Sequence, residues 1–461
     1  MEGRVPLKNV RSRYTFHTTL PDGRLGLYNS KTGAVVCADV EEAGKLLSVL
    51  EDPVGNSESS FLPALVSQGF VVQNDCDELS DIRKWSNAFL SDERLLHLTM
   101  LPAEACNFTC PYCFQYNKRH LFMKPWVYDA ALQLIERSAV RNQNQGQRTH
   151  IKISWFGGEP TLAAPMIMSF QNRLLALSAK YELDVKCTMV TNGYLLTSNL
   201  FNRLLDASIR EFQVTLDGDS TTHDQLRTLK NGKPTFNTIY ENLKLITQLP
   251  NEVQFKMTIR VNFLRTTIDA ARNMTDMFVA DFGHDSRFQI YCRPVYHFDT
   301  ARDDIQAITS DICSIEEGIG LQRALAKMVM EQLKVSTPGG LFDPLPMPTP
   351  AWCPCERKYS YVIGADGLLF PCDNLVGDEN YTIGRLSEDG TPLYNSRATL
   401  WKGDCLSDNE CLTCKLLPVC MGGCLRARII SKRQPCFWSE SELLRSLQEH
   451  IELSTPRCTT G

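Results

Sequence analysis

The sequence has no apolar run of the length a membrane span needs, and its first residues, Met1 to Lys8, lack the apolar core of a signal peptide. The expectation is a cytoplasmic protein with no membrane partner. A large charge excess is also missing. The formal net charge is −5 over 461 residues, which gives no reason to expect nucleic acid or an anionic surface as partner. At 43% hydrophobic and 22% charged, the chain has an ordinary globular composition and length enough for two or three domains. Cysteine breaks this plainness. Eighteen cysteines in a cytosolic chain indicate metal or cluster ligands before disulfides, because that compartment keeps thiols reduced.

A further absence is more telling. Cys106, Cys110 and Cys113 stand at spacing Cys-x3-Cys-x2-Cys on a loop that follows the apolar run Leu95 to Leu101, and no fourth cysteine joins them there. The run reads as a buried strand, so the thiols fall on the loop leaving its C-terminal end. Three thiolates on one loop can hold three irons of a [4Fe–4S] cluster and leave the fourth iron open. A structural zinc wants four ligands; a zinc borrowing a distant ligand, and a chance grouping of buried cysteines, are the alternatives. With Tyr112 before the last cysteine and Phe114 after it, the loop resembles the cluster loop of radical S-adenosylmethionine (radical SAM) enzymes. That resemblance implies a cofactor chelated at the open iron, cleaved by one electron to a 5′-deoxyadenosyl radical that abstracts a substrate hydrogen. It also implies an electron donor, either a reductase or a flavodoxin or ferredoxin.

From Leu95 onward strand-like and helix-like stretches alternate. The strands are Leu95–Leu101, Ile151–Phe156, Val185–Thr191, Glu211–Leu216, Phe255–Asn262 and Phe288–Cys292; Val127–Val140, Pro165–Ala179, Asn237–Thr247 and Ile268–Phe278 are helical between them. Six βα units predict an α/β fold with a parallel sheet, an open partial (β/α)6 barrel over residues 85–335, its chemistry on loops at the C-terminal strand ends. Residues 1–84 read as short strands (Tyr14–Thr18, Leu25–Tyr28, Ala34–Cys37), then helices from Val40 and Phe61, then a strand at Gly69–Val72. This order resembles the winged-helix-like peptide-recognition element of ribosomal-peptide modifying enzymes, which implies a leader peptide bound along a strand edge. A packing domain without a ligand is the alternative. A Pro/Gly-rich linker from Ser336 to Pro350 opens the C-terminal region, 336–461.

Each strand end carries polar or glycine residues. Gly157-Gly158-Glu159-Pro160 follows the second strand, and paired glycines let backbone approach a ligand closely. By resemblance this stretch, with Phe114, contacts the cofactor, its backbone near the amino group. Asn192 ends the third strand; Thr215 and Asp217 end the fourth and are placed near the cofactor's carboxylate and ribose. Arg227 and Arg260 are further cofactor contacts, with Arg227 a substrate clamp or a plain salt bridge as alternatives. Asn262 and Arg293 point to the same rim.

Beyond the linker, Cys355-x11-Gly367-x4-Cys372 is followed by Cys411-x2-Cys414-x5-Cys420-x3-Cys424 and Cys436. This resembles the seven-cysteine signature of the C-terminal domain called SPASM, which holds auxiliary [4Fe–4S] clusters; a zinc ribbon is the alternative. Carried over by position, Cys355, Cys372 and Cys424 ligate the first auxiliary cluster, and Cys411, Cys414, Cys420 and Cys436 the second. In sulfatase-maturing relatives the fourth ligand to the first cluster lies several residues before the Cys355 position, and the nearest candidate here is Cys353. Cys353 and Cys355 lie only one residue apart, so that cluster has either four protein ligands or three and an open iron. Cys405 is a spare, and Cys37, Cys76, Cys187, Cys292, Cys313 and Cys458 have no motif spacing and read as structural. Asp373 occupies the place of the catalytic base of sulfatase-maturing relatives, or caps the cluster loop. The resemblance implies an enzyme that cross-links a ribosomal peptide or protein side chain, through a thioether or a C–C or C–O bond. The alternatives are a formylglycine-forming sulfatase maturase, a peptide epimerase and, from another class, an electron-transfer iron–sulfur protein.

Overall fold

The computed structural model describes residues 7–115, 119–296, 308–334, 345–401, 406, 408–430, 432 and 436–454. Most of the expected linker, Cys405 and Cys458 lie outside these described residues.

Strand β6 (Leu95–Ala103) is apolar along nearly its whole length and buried from Leu96 on, as a strand covered on both faces must be. Five parallel strands follow it: β7 (His150–Gly157), β8 (Asp184–Thr191), β9 (Glu211–Thr215), β10 (Lys256–Phe263) and β11 (Phe288–Pro294). They lie side by side in chain order, β11-β10-β9-β8-β7-β6, so the six expected βα units form one parallel sheet that does not close on itself. Helices α4 (Pro125–Asn144), α5 (Ala164–Tyr181), α6 (Ser198–Asp206), α8 (Phe236–Thr247) and α9 (Ile268–Asp281) cross over between them. Thr197 caps α6 by accepting from the Leu200 amide at 3.3 Å. The helices cover the strand face that carries Ile153, Met189, Val214, Ile259 and Val261, all fully buried.

The alternate positions of those strands are polar, and they bond to one another across the sheet. His97 and Ser154 share a hydrogen bond of 2.9 Å, Gln289 donates to Thr258 at 2.7 Å, and the Tyr291 hydroxyl donates to Gln213 at 2.9 Å. The register sets Arg260 beside both Thr215 and Tyr291, and Asn262 beside Arg293.

The sheet extends further than the six-unit pattern anticipates. A strand from the C-terminal region, β12 (Ser360–Ile363), pairs parallel with the free side of β6, His97 opposite Ser360. An antiparallel run, β13 (Leu368–Phe370), β14 (Gly384–Leu386) and β15 (Pro392–Tyr394), continues it to ten strands. The partner of β12 lies some 260 residues upstream, so no local pattern announces the pairing.

The N-terminal region forms the expected strands and one that was not expected, Asn9–Arg11. β1 (Asn9–Arg11) pairs with β5 (Val71–Gln73), and β2 (Thr15–Thr19), β3 (Leu25–Asn29) and β4 (Val35–Ala38) make a meander. Helices α1 (Val40–Glu51) and α2 (Leu62–Ser67) close a small core of Leu25, Leu27, Leu46, Val49, Leu50, Leu65 and Phe70. Helix α3 (Glu78–Ser91) leads into β6. The helix Glu440–Ser454 returns over β2 and β3 through Leu443, Leu447 and Ile451. No helix among the described residues is long and apolar enough to cross a membrane.

Candidate active site

The cysteine loop leaves β6 and is held from three sides. The backbone of Gly158 donates to Ala103 and that of Glu159 to Ala105, each at 2.9 Å. Gly157 has φ +124°, and a Cβ on it would stand 2.4 Å from the Ala103 carbonyl; one on Gly158 would stand 2.3 Å from that of Ala105. The demand for two glycines thus comes first from the cysteine loop itself, whose backbone runs against theirs. On the second side, Asn192 Nδ2 donates to Asn107 at 2.7 Å. On the third, Thr109 donates its amide to Thr228 at 3.1 Å and the Lys230 amide donates to Asn107 at 3.0 Å. Phe114 stacks on Phe156 with centroids 6.0 Å apart.

Glu159 points inward. Its carboxylate is fully buried and accepts from the Thr161 amide (3.0 Å), the Thr161 hydroxyl (2.5 Å), the Thr191 hydroxyl (2.6 Å) and the Asn192 amide (2.7 Å). Burial raises its pKa and those bonds oppose the rise. The side chain therefore pins the ends of β7 and β8 together, and Pro160 is buried beside it.

The end of β9 carries a buried ionic network. Burial lifts the Asp217 carboxyl to about 6, against the pull of Arg227 and bonds from Asn262. Asp217 accepts from the Asn262 amide and side chain, each at 3.2 Å, and from the Tyr112 hydroxyl of the cysteine loop. Arg227 donates to that hydroxyl at 2.8 Å and lies 3.8 Å from Asp217. The Asp217 amide donates to His223 Nδ1 at 3.1 Å, so His223 Nε2 carries the proton and donates to Thr235 at 3.0 Å. Thr235 in turn donates to the Arg227 carbonyl at 2.5 Å. Burial and the Arg227 charge keep His223 neutral.

Arg227 decides what the loop can hold. Its guanidinium is buried, its Nε has no hydrogen-bond partner among the described residues, and its charge faces Cys110, Asp217, Cys106 and Cys113. A fixed cation with a spare donor beside three thiols suits an anionic iron–sulfur centre, so the donor set fits the cofactor that the loop implies. Among the described residues, no three His, Cys, Asp or Glu side chains close on a point as a single metal ion requires.

The C-terminal thiols fall into two groups. Cys353 and Cys355 share a hydrogen bond that holds Cys353 below the usual thiol range and Cys355 well above it; the charges that act on this pair include Cys372 and Asp373. Cys424 is raised by burial and by Cys353 among its neighbours. In the other group, burial and then Cys436, Cys411 and Cys414 push Cys420 up to about 12. The adjacency of Cys353 and Cys355 in sequence thus becomes contact between their thiols.

Arg260 joins the barrel to the first group. It donates to Asn262 at 2.8 Å, lies over the Tyr291 ring at 5.9 Å, and its charge acts on both Asp217 and Asp373. Burial raises the Asp373 carboxyl, which accepts from Cys372 at 3.4 Å. Arg293 lies over Tyr296 at 5.1 Å on the same rim.

Sequence reasoning passed over one cluster entirely. Arg119 grips the buried Glu104 with two bonds of 2.6 and 2.7 Å, and Asp366 with bonds of 2.6 and 3.2 Å. This clamp ties the start of the cysteine loop to the β12–β13 turn. Glu104, an acidic residue directly before the loop, was its one visible sign. Of the thiols without motif spacing, Cys187, Cys292 and Cys313 are buried as expected of packing residues, whereas Cys37 and Cys76 are exposed.

Residues 100–274 match the family model described as Radical SAM superfamily. A cysteine-type anaerobic sulfatase-maturating enzyme of Clostridium novyi is 25% identical over 355 residues, spanning 72% of this chain and 88% of its own. The radical SAM cyclopropyl synthase TigE of Paramaledivibacter caminithermalis is 20% identical over 469 residues, spanning 90% of this chain and 89% of its own. The solved structure of native anSMEcpe with bound AdoMet and the Kp18Cys peptide has the same fold, with a TM-score of 0.54 at 18% identity over 79% of this chain and 98% of that one. The matched segment holds the three thiols, the glycine pair that backs them and the buried cation that faces them, and with them the chain carries a radical SAM domain over residues 100–274.

Proposed function

We propose that this enzyme abstracts a hydrogen from a side chain of a ribosomal peptide or protein and closes a cross-link there, a thioether or a carbon–carbon or carbon–oxygen bond. Cys106, Cys110 and Cys113 ligate the first cluster. The backbone of Gly157 to Pro160, with Phe114, Asn192, Thr215, Asp217, Arg227 and Arg260, shapes the cofactor's bed. Bound there, the cluster and S-adenosylmethionine supply a 5′-deoxyadenosyl radical. Cys353, Cys355, Cys372 and Cys424 hold the inner auxiliary cluster; Cys411, Cys414, Cys420 and Cys436 hold the outer one. Asp373, its carboxyl raised by burial, takes the substrate proton as the bond forms, and the one electron left over would pass to the inner auxiliary cluster. The N-terminal strands and helices grip a leader along the edge of β4, which no further strand covers among the described residues. A reductase, flavodoxin or ferredoxin delivers the electron.

The observation that carries this reading is the bridge made by Arg260, whose charge reaches Asp217 within the barrel and Asp373 beside the inner cysteine group. A substrate between them touches both centres. The name of the C. novyi relative favours a second reading, oxidation of a cysteine to formylglycine in a sulfatase. The test is anaerobic incubation of the iron-loaded enzyme with dithionite, S-adenosylmethionine and either peptides translated from the neighbouring open reading frames or a sulfatase-derived peptide. Cross-linking predicts 5′-deoxyadenosine together with a peptide lighter by two hydrogens and resistant to thiol alkylation or sequencing at the joined residues. Formylglycine in the sulfatase peptide alone would replace the first reading with the second.

A further inference from the structure

The segment that carries the outer cysteine group does not lie open to solvent. The N-terminal region is packed on it. Tyr14, just before β2, forms one apolar cluster with Ile82, Leu406, Leu417 and Met421, and Cys411 lies against that cluster. Cys414 lies against the neighbouring cluster built on Phe16 and Tyr28. Hydrogen bonds fix the contact. Arg13 donates to the Leu412 carbonyl at 2.9 Å, the Ser30 hydroxyl to that of Lys415 at 2.7 Å, and Arg83 to that of Leu406 at 3.2 Å.

Tyr14 itself is held at both ends of its backbone. Its amide donates to the Ser12 hydroxyl at 3.2 Å, and its carbonyl accepts from the Ser30 amide at 3.0 Å. The ring is fully buried, with the Arg13 guanidinium 5.1 Å from its centroid. Among the described residues its hydroxyl has no hydrogen-bond partner. A buried hydroxyl without a partner is costly, so each one calls for an explanation, and a ligand or cluster beside it is one. The Cys414 charge is among those that face it. A neutral thiol accepts poorly, whereas a cluster-bound thiolate carries negative charge and accepts well.

We propose that the Tyr14 hydroxyl donates a hydrogen bond to the cluster held by Cys411, Cys414, Cys420 and Cys436, so that the N-terminal region sets the reduction potential of that outer cluster. The inference rests on the auxiliary clusters of the proposed function. Donors to cluster or ligand sulfurs stabilise the more negative, reduced state, and so raise the potential. The region read as peptide-binding is then also part of the electron path: a peptide seated on it presses on the strands that hold Tyr14.

The test uses the full chain, iron-loaded, with Cys106, Cys110 and Cys113 replaced by Ala so that only auxiliary signals remain. Redox titration followed by electron paramagnetic resonance compares this background with the same protein bearing Tyr14→Phe, which keeps the ring. Tyr128→Phe is the control, since Tyr128 also has a buried, unpartnered hydroxyl but sits on α4 of the barrel. The expected result is a shift to lower potential of one signal in Tyr14→Phe, that signal being the one lost in Cys436→Ala, with no shift in Tyr128→Phe. Unmoved midpoints in Tyr14→Phe, with both clusters present, overturn the proposal and leave the auxiliary clusters standing. Iron analysis that finds no auxiliary iron in the background overturns the cluster assignment and this proposal together. Iron-free Tyr14→Phe should unfold no earlier than its parent, because the hydroxyl has no protein partner to lose.

Discussion

The barrel mouth and the C-terminal cysteine region handle polar groups in opposite ways. Around the three-cysteine loop the protein satisfies its own buried carboxylates: Glu159 accepts four bonds from the chain, and Asp217 is bonded by Asn262 and Tyr112. In the C-terminal region thiol faces thiol: burial and then neighbouring charges push Cys372 and Cys420 upward, and the hydrogen bond with Cys353, then burial, raises Cys355. Regular structure follows the same division. The barrel rests on strands of five to nine residues, whereas Cys411 and Cys420 sit on helices of five and four residues, with Cys414 between them. Helices that short are marginal without tertiary support. The mouth of the barrel is prebuilt; under the proposed function the C-terminal region depends on what its thiols bind.

The largest effect should therefore come from removing iron. Anaerobic chelation is expected to leave amide hydrogen exchange in β6 to β11 almost unchanged, while protection across 408–430 falls toward that of unfolded chain. Equal loss of protection in the sheet would break the contrast, and retained protection in 408–430 would show that packing against the N-terminal region suffices without iron.

Next comes the seam between the two regions. Arg119→Met leaves Glu104, 3% exposed, as a buried carboxylate without its cation. Losing one partner of such a pair costs about 3–5 kcal/mol, and Arg119 is 19% exposed, which favours the lower figure. Adding Glu104→Gln should restore much of the loss, because the remaining group is then neutral. Denaturant unfolding of the iron-free variants measures both.

His97 tests the same seam through pH. It sits on β6 between Ser154 of β7 and Ser360 of β12, and burial, then Lys152 and Arg357, lower its pKa to about 4 from 6.5. Between pH 6.5 and 4 the unfolded chain holds a proton there that the folded one refuses. The stabilising difference is thus complete above pH 6.5 and lost as pH falls toward 4, amounting at the limit to about 3 kcal/mol. His97→Gln should flatten the stability profile in that window. An unchanged slope would mean that other groups carry the acid sensitivity.

Much of this was legible beforehand, for reasons that also mark where legibility stops. The strands declare themselves because β6 is a continuous apolar run and β10 alternates Thr258, Arg260 and Asn262 with apolar neighbours. Cysteine spacing survives in sequence because a cluster needs its ligands at fixed separations. The pairing of Ser360 with His97 and the bond from Arg13 to Leu412 join residues hundreds of positions apart, and nothing periodic connects them. The inward turn of Glu159 was hidden for another reason. Its partners Thr191 and Asn192 lie on the next strand, and an acidic residue after two glycines reads as a ligand contact until its acceptors are accounted for.

The smallest effect sharpens the contrast most. Asn192 ties the prebuilt mouth to the cysteine loop by one bond to Asn107, 2.7 Å, and its own side-chain oxygen accepts from the Tyr194 amide at 3.0 Å. Asn192→Ala removes both and should cost about 1 kcal/mol in the iron-free protein, the ordinary worth of such bonds. If the loop is positioned chiefly by backbone contact with Gly157 and Gly158, the variant still loads the first cluster fully, measured as iron retained in a protein whose auxiliary cysteines are intact. A variant that keeps its stability but loses that iron would show that one amide, and not the glycine-backed strand ends, sets the loop. The mouth would then depend on its cofactor as the C-terminal region does.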